Sequence, residues 1–140
     1  ARGSYGLRAV LDLSLRFGQG FVQTAEIAER QEIPESYLVQ LLNVLRKGGL
    51  VRSVRGPKGG HALLRRPEEV TVREVLAILE GPLDLLGEGR DPGGGIDRSD
   101  VFREVWKEVQ KAIDGTTSSF TFDDLCRRHQ GKHENIVFRI

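Results

Sequence analysis

Apolar residues recur along this chain at helical spacing, and the pattern is sharpest in the middle. Leu38, Leu41, Leu42 and Leu45 fall at i, i+3, i+4 and i+7, which puts them on one face of a helix. The opposite face carries Ser36, Gln40, Asn43 and Lys47. Short and amide side chains of this kind can read base edges. Pro34 suits a first helical position, and Glu35 in the first turn favours the positive end of the helix dipole. Arg46-Lys47 followed by Gly48-Gly49 is the usual chemistry of a helix end.

Upstream, Tyr5, Leu7, Val10, Leu11, Leu13, Leu15 and Phe17 cover more than one face of a helix over 5–17, which predicts burial on two sides. Gly18-Gln19-Gly20 ends it. Thr24 is an N-cap candidate for a short helix over 25–31 with Ile27 and Ala28 inward. Glu32-Ile33-Pro34 is then a turn of about three residues, and two helices joined so tightly form a helix-turn-helix. The helix from Glu35 would be the recognition helix.

Downstream, the runs 50–54 and 61–64 flank Arg55-Gly56-Pro57-Lys58-Gly59-Gly60. A turn holding Pro and three Gly predicts an antiparallel hairpin. Thr71-Val72-Arg73-Glu74 reads as a capping box opening a helix with Val72, Val75, Leu76 and Leu79 on one face, stopped by Gly81-Pro82. GEGRDPGGG, 87–95, reads as a flexible connection. It lacks the Gly-Lys-Ser/Thr ending of a phosphate-binding loop and follows no predicted strand. A second strong helix is predicted over 99–114, with Val101, Val105, Val109 and Ala112 on one stripe that Phe102, Trp106 and Ile113 widen. So apolar a helix beyond a flexible loop needs a partner surface, and a twin helix in a twofold dimer supplies one; the alternative is that it covers its own domain's core. Thr121 caps a last short helix over 122–130, Gly131 breaks it, and 135–140 is a terminal strand or a tail.

The chain thus divides into a winged helix-turn-helix over 1–83, a flexible loop over 84–98, a dimerisation helix over 99–115 and a C-terminal helix and tail over 116–140. The fold class is mainly α with a small β wing.

The net charge of +1 hides a local asymmetry. Between Ser36 and Pro67 the charged residues are Arg46, Lys47, Arg52, Arg55, Lys58, Arg65 and Arg66, with no Asp or Glu among them. Seven cations without an anion, on a helix end and a hairpin, form the electrostatic footprint of a nucleic-acid binder. At 140 residues and 39% hydrophobic, the chain can pack a core. No apolar run approaches a membrane span, no signal-peptide layout opens the chain, and one Cys excludes a disulfide framework within it. The expected location is cytoplasmic. No nucleophile–base set, nucleotide fingerprint or paired-carboxylate motif is present, so an enzyme is not expected.

The segments SYGLRAVLDLS, IAERQEIPESYLVQLLNVLRKGGLVRSVRGPKGGHAL and RPEEVTVREVLAILEGP, with LRKGGLVRSVRGPKGG the most specific stretch, resemble the Rrf-two family of bacterial winged-helix regulators over about 4–83. The remainder resembles it in layout. The resemblance implies a dimeric, cytoplasmic DNA-binding protein that represses or activates transcription, and a few further residues before residue 1. By position it implies that Ser36, Tyr37 and Gln40 face the major groove and that Arg55 and Gly56 enter the minor groove at the wing tip. Thr24, Val39, Asn43, Lys47, Arg52 and Lys58 complete the expected DNA-binding set. Val39 stands where the family often has Glu. A carboxylate accepts from cytosine, whereas valine can only touch a thymine methyl. The expected partners are double-stranded DNA and a second copy of the chain, with a regulatory protein or small-molecule effector as a further one; no membrane is expected.

Many members hold an iron–sulfur cluster on three Cys in the loop before the long helix. Here that loop, 85–100, is LLGEGRDPGGGIDRSD, without Cys or His. Soft thiolates retain such clusters, so none is expected at the usual place and no cofactor is assigned. Cys126, His129 and His133 stand at i, i+3 and i+7, a weak zinc spacing that lacks an evident fourth ligand and that Gly131 would interrupt. A packed Cys126 with two surface His is the plainer reading. A redox thiol, activated by Arg127, Arg128 and His129, is another. His61, in the wing strand where the family commonly has Tyr, either packs or contacts phosphate.

Three functions fit the basic face: duplex-DNA binding, protein docking by a winged helix, and RNA binding. Docking predicts affinity insensitive to salt, and RNA recognition predicts preference for single strands or A-form shape.

Overall fold

The computed structural model describes residues 2–81 and 100–138. Its order is α1 (Arg2–Leu15), α2 (Thr24–Gln31), α3 (Glu35–Lys47), β1 (Val51–Val54), β2 (Gly60–Leu63), a single 3₁₀ turn (Pro67–Glu69), α4 (Val72–Glu80), α5 (Asp100–Ser119) and α6 (Phe122–Phe138). The strands pair antiparallel from Val51 opposite Leu63 to Val54 opposite Gly60. Among the described residues no helix is long and apolar enough to cross a membrane.

The leucine stripe of α3 is the floor of the core: Leu38, Leu41, Leu42 and Leu45 are all buried, together with Ala9, Val10 and Leu13 of α1 and Ile27 of α2. Each buried Leu, Val or Ile among them stabilises the fold by roughly 1.5–3 kcal/mol relative to exposure. α1 packs on α3, α4 and α6 with Val10 and Leu13 of its apolar pattern buried and Tyr5, Leu7 and Leu11 packed against the core; it ends at Leu15, and Phe17, expected inside it, lies beyond it and is 40% exposed. Gly6 lets α4 close on α1, since a Cβ there would lie 2.1 Å from Leu79 Cδ1. Between α2 and α3 the chain turns at Glu32, in the left-handed region at φ 53°. Pro34 caps α3 from outside instead of occupying its first turn.

Several boundaries differ from the sequence reading. Thr24 is not the N-cap of α2; Gln23 holds that place without a side-chain bond, and the Thr24 hydroxyl is engaged elsewhere. The capping box of α4 is half formed. Thr71 Oγ1 accepts from the Glu74 N–H at 3.2 Å, while the Glu74 carboxylate turns to Arg65 at 2.7 Å. The complete box is at α6, where Thr121 and Asp124 exchange two backbone-to-side-chain bonds of 3.1 Å. That pair and Arg127 hold the Asp124 carboxyl below its ordinary range.

α5 runs past 115 to Ser119, and α6 passes through Gly131 to Phe138, where a break and then a strand or tail were expected. Gly inside a helix costs only about 1 kcal/mol relative to Ala, and φ is not positive at Gly115 or Gly131. α6 is fastened to the winged domain by a short bridge, Thr71 opposite Thr121, with the Phe122 N–H on Val70 O at 2.9 Å and the Phe122 ring fully buried. The 84–98 loop, including 87–95, lies outside the described residues.

Candidate nucleic-acid interface

The exposed face of α3 and the hairpin form the two walls of an open cleft of about 610 Å³. Val39, Asn43 and Arg46 line it from the helix, and Ser53, Arg55 and Gly56 from the hairpin. Val39 is 50% exposed on this wall. Ser36, Gln40 and Lys47 are exposed on the same helix. Asn43 Oδ1 accepts from Arg46 Nη2 at 2.9 Å, which leaves the Asn43 amide N–H groups directed outward.

The wing tip owes its shape to glycine. Gly56 sits at φ 107°. A Cβ on Gly59 would lie 2.0 Å from Val54 O, and the Gly59 N–H closes the turn on Gly56 O at 3.0 Å. Arg55 and Lys58 are exposed on this tip. Arg52 lies on β1 with its guanidinium over the Phe21 ring at 5.7 Å.

Two expected features are placed differently. Tyr37 is half-buried, edge-on to Tyr5 with ring centroids 5.6 Å apart, and packs on the core instead of facing out with Ser36 and Gln40. The basic run is shorter than its sequence suggests. Arg65 pairs with Glu74, and Arg66 with Glu68 and Glu69 at 3.6 and 3.9 Å. Arg46, Lys47, Arg52, Arg55 and Lys58 make no ion pair among the described residues, so the positive face narrows to the helix end and wing.

A network that the sequence does not announce joins the wing to the start of α2. Val22 and His61 exchange backbone bonds of 2.8 Å in each direction. Gln23 Nε2 donates to the wing carbonyls of Gly59 at 2.5 Å and Pro57 at 3.4 Å. The His61 ring is hydrogen-bonded at Nε2 to Thr24 Oγ1 and at Nδ1 to Ser53 Oγ, each at 2.7 Å. These partners lie up to 39 positions apart in sequence, from Val22 to His61, so no local spacing could reveal them.

On α5, Val101, Phe102 and Val105 are 73%, 52% and 51% exposed, Trp106, Val109 and Ile113 are half-buried, and the helix packs on α4. On α6, Cys126 is buried, and desolvation, with Asp123 nearby, pushes its thiol up to about 11. This is the packed Cys126 of the plainer reading; of the cations offered by the redox alternative, Arg127 pairs with Asp124 and Asp123, and Arg128 lies over the Phe120 ring at 4.8 Å. Among the described residues no group of three or more His, Cys, Asp or Glu could hold a metal. His129 is exposed, and the side chain of His133 lies outside the described residues. Cys126 is the one Cys of the chain. A single buried thiol does not supply the thiolate set of an iron–sulfur cluster, and the residues present do not fit that group.

Known proteins resemble this chain in sequence and fold. Residues 1–128 match the sequence profile of Rrf2, described as an iron-dependent transcriptional regulator. The chain is 32% identical to the HTH-type transcriptional regulator CymR of Bacillus subtilis (strain 168), over 99% of this chain and 96% of that one. It is 37% identical to the HTH-type transcriptional regulator IscR of Photorhabdus laumondii, over 93% and 79%. Among solved structures it is similar to CymR, the global cysteine regulator of B. subtilis, with a TM-score of 0.78 at 31% identity, over 91% of this chain and 95% of that one. T. potens IscR superposes with a TM-score of 0.76 at 40% identity, over 92% and 85%.

Proposed function

Since this chain belongs to the Rrf2 family of DNA-binding transcriptional regulators, we propose that it acts as a homodimeric repressor on a near-palindromic operator. The observation that carries this reading is the cleft between α3 and the wing. Its helix wall exposes Val39, Asn43 and Arg46, its hairpin wall ends in Arg55, and no carboxylate is among its lining residues; Gln40 is exposed on the same helix. A helix of this kind lies in the major groove, and a basic glycine-rich tip beside it fits the minor groove. Two copies related by a twofold axis present two such helices about 34–36 Å apart.

The exposed stripe Val101, Phe102 and Val105 supports α5 as the surface joining the copies. We also infer that no iron–sulfur cluster is held before α5, since 85–100 offers neither Cys nor His. Selection of bound duplexes from a random pool with purified protein tests the central reading. Enrichment of an inverted repeat supports it, and enrichment of direct repeats or of no sequence refutes it. Iron and sulfide analysis after anaerobic reconstitution tests the second, which stoichiometric retention in Cys126→Ser would overturn.

A further inference from the structure

We propose that His61 is a positioning residue for DNA binding: it fixes the angle between wing and recognition helix, and it takes up a proton when DNA fills the cleft. The inference rests on the reading of α3 and the wing as the DNA-facing surfaces.

The geometry comes first. His61 is held by backbone to Val22 and by both ring nitrogens to hydroxyls on two different elements, Thr24 at the start of α2 and Ser53 on β1. A Cβ on Gly60 would lie 2.4 Å from Val22 O, so the strand carrying His61 is pressed directly against the segment leading into α2. Since α2 is packed on α3, the imidazole ties the wing to the helix-turn-helix. The hairpin that carries Arg55 is thereby held against the helix-turn-helix.

The chemistry follows from the partners. A neutral imidazole donates at one nitrogen and accepts at the other, and each hydroxyl can do either. When the ring is protonated both nitrogens donate, and both hydroxyl oxygens can accept. Both bonds therefore survive protonation, so the ring can gain charge without releasing the wing.

In the free protein no carboxylate among the described residues lines the cleft to favour that charge. Burial holds His61 below the ordinary histidine range. The charged residues lining the cleft with it are Arg46 from α3 and Arg55 from the wing, both cations, and the segment entering α2 contributes only Gln23 and Thr24. A phosphate backbone entering the cleft reverses the field, because an opposite charge favours the protonated ring. The bound state then has the higher pKa, so affinity rises as pH falls through the bound value and levels off below the free value. The limit is about tenfold per pH unit for each protomer that takes up one proton.

The test measures duplex affinity from pH 5.5 to 8 at fixed ionic strength, with calorimetry in two buffers of different ionisation enthalpy to count protons. The wild type is expected to bind more tightly toward acid with net proton uptake. His61→Gln, which can still hydrogen-bond but does not titrate, is expected to lose that pH dependence, whereas His129→Gln keeps it. His61→Phe, which releases both hydroxyls, is expected to lose the pH dependence and also to weaken the effect of Arg55→Ala, because the wing is no longer held. An unchanged pH slope in His61→Gln overturns the inference, as does a wild type that binds without proton uptake. Full affinity in both Gln40→Ala and Arg55→Ala instead overturns the underlying reading of the cleft.

Discussion

Arg30 grips Asp12 with two parallel hydrogen bonds, Nε to Oδ1 and Nη2 to Oδ2, each 3.0 Å, and the Asp12 side chain is fully buried. Arg16 and Gln31 add bonds of 3.2 Å to Oδ1. The cluster fastens α2 to α1 and so fixes the platform from which the turn launches α3. Hydrogen bonding to Asp12 raises the Arg30 pKa further above its ordinary value. Breaking a fully buried pair costs about 3–5 kcal/mol because the remaining charge is left in the interior. The Arg30 side chain is 32% exposed, and Arg16 and Gln31 stay with Asp12 in Arg30→Ala, so a loss below that range, about 1–3 kcal/mol, is expected in urea unfolding. A change under 1 kcal/mol would show the pair to be incidental.

Base reading and phosphate binding should separate by mutation. Gln40→Ala is expected to cost roughly 1–3 kcal/mol on the preferred duplex and to relax base choice there. Lys58→Ala is expected to weaken all duplexes alike and to lower the salt slope by about one. Isotherms on preferred and scrambled duplexes at three salt concentrations distinguish them. Equal weakening on both duplexes in Gln40→Ala would mean that α3 does not read bases.

The exposed α5 stripe predicts association. Val105→Asp introduces an unpaired charge into the proposed contact, and the variant is expected to be a folded monomer with poor operator affinity. Light scattering at micromolar concentration is the check. A monomeric wild type would refute the dimer.

The wing depends on Gly60, which combines φ 135° with close approach to Val22 O. Gly60→Ala is expected to cost about 1–3 kcal/mol from backbone strain alone and to misplace Arg55. Thermal unfolding and duplex binding would both register it, whereas full duplex affinity would show that the wing can shift without consequence.

Cys126 should behave as a core residue. With the thiol pushed up to about 11 from an ordinary 9.0, the thiolate is scarce at neutral pH. A disulfide reagent is expected to react slowly until pH approaches 11 or the protein is unfolded. The sign for stability follows: the unfolded chain gives up the proton first, so between about 9 and 11 stability falls as pH rises. Rapid labelling of folded protein at pH 7 would contradict this.

The recognition helix, the turn before it and the glycine-tipped hairpin were legible in sequence because their signals are local. The leucine spacing of α3, Gly48-Gly49 after it and Pro57 among glycines each restrict the backbone within a few residues. The anion-free run of cations over the same segments, together with the family resemblance, carries the expectation of DNA binding. What sequence alone misjudged was how local preferences compete with packing. Thr24 has the chemistry of a cap, but its hydroxyl goes to His61. Glu74 completes a capping box on paper, but Arg65 takes its carboxylate. Gly131 weakens a helix without ending it, and α6 continues past it. Arg65 and Arg66 belong to a basic run in sequence and to ion pairs in space. The Asp12 cluster and the His61 clasp join residues 18 and 37 positions apart, and burial sets the charge state of the Cys126 thiol. Hydrogen-bond partners and desolvation depend on which surfaces meet. Periodicity fixes only the face of each element, so those choices were made when the helices and the wing packed together.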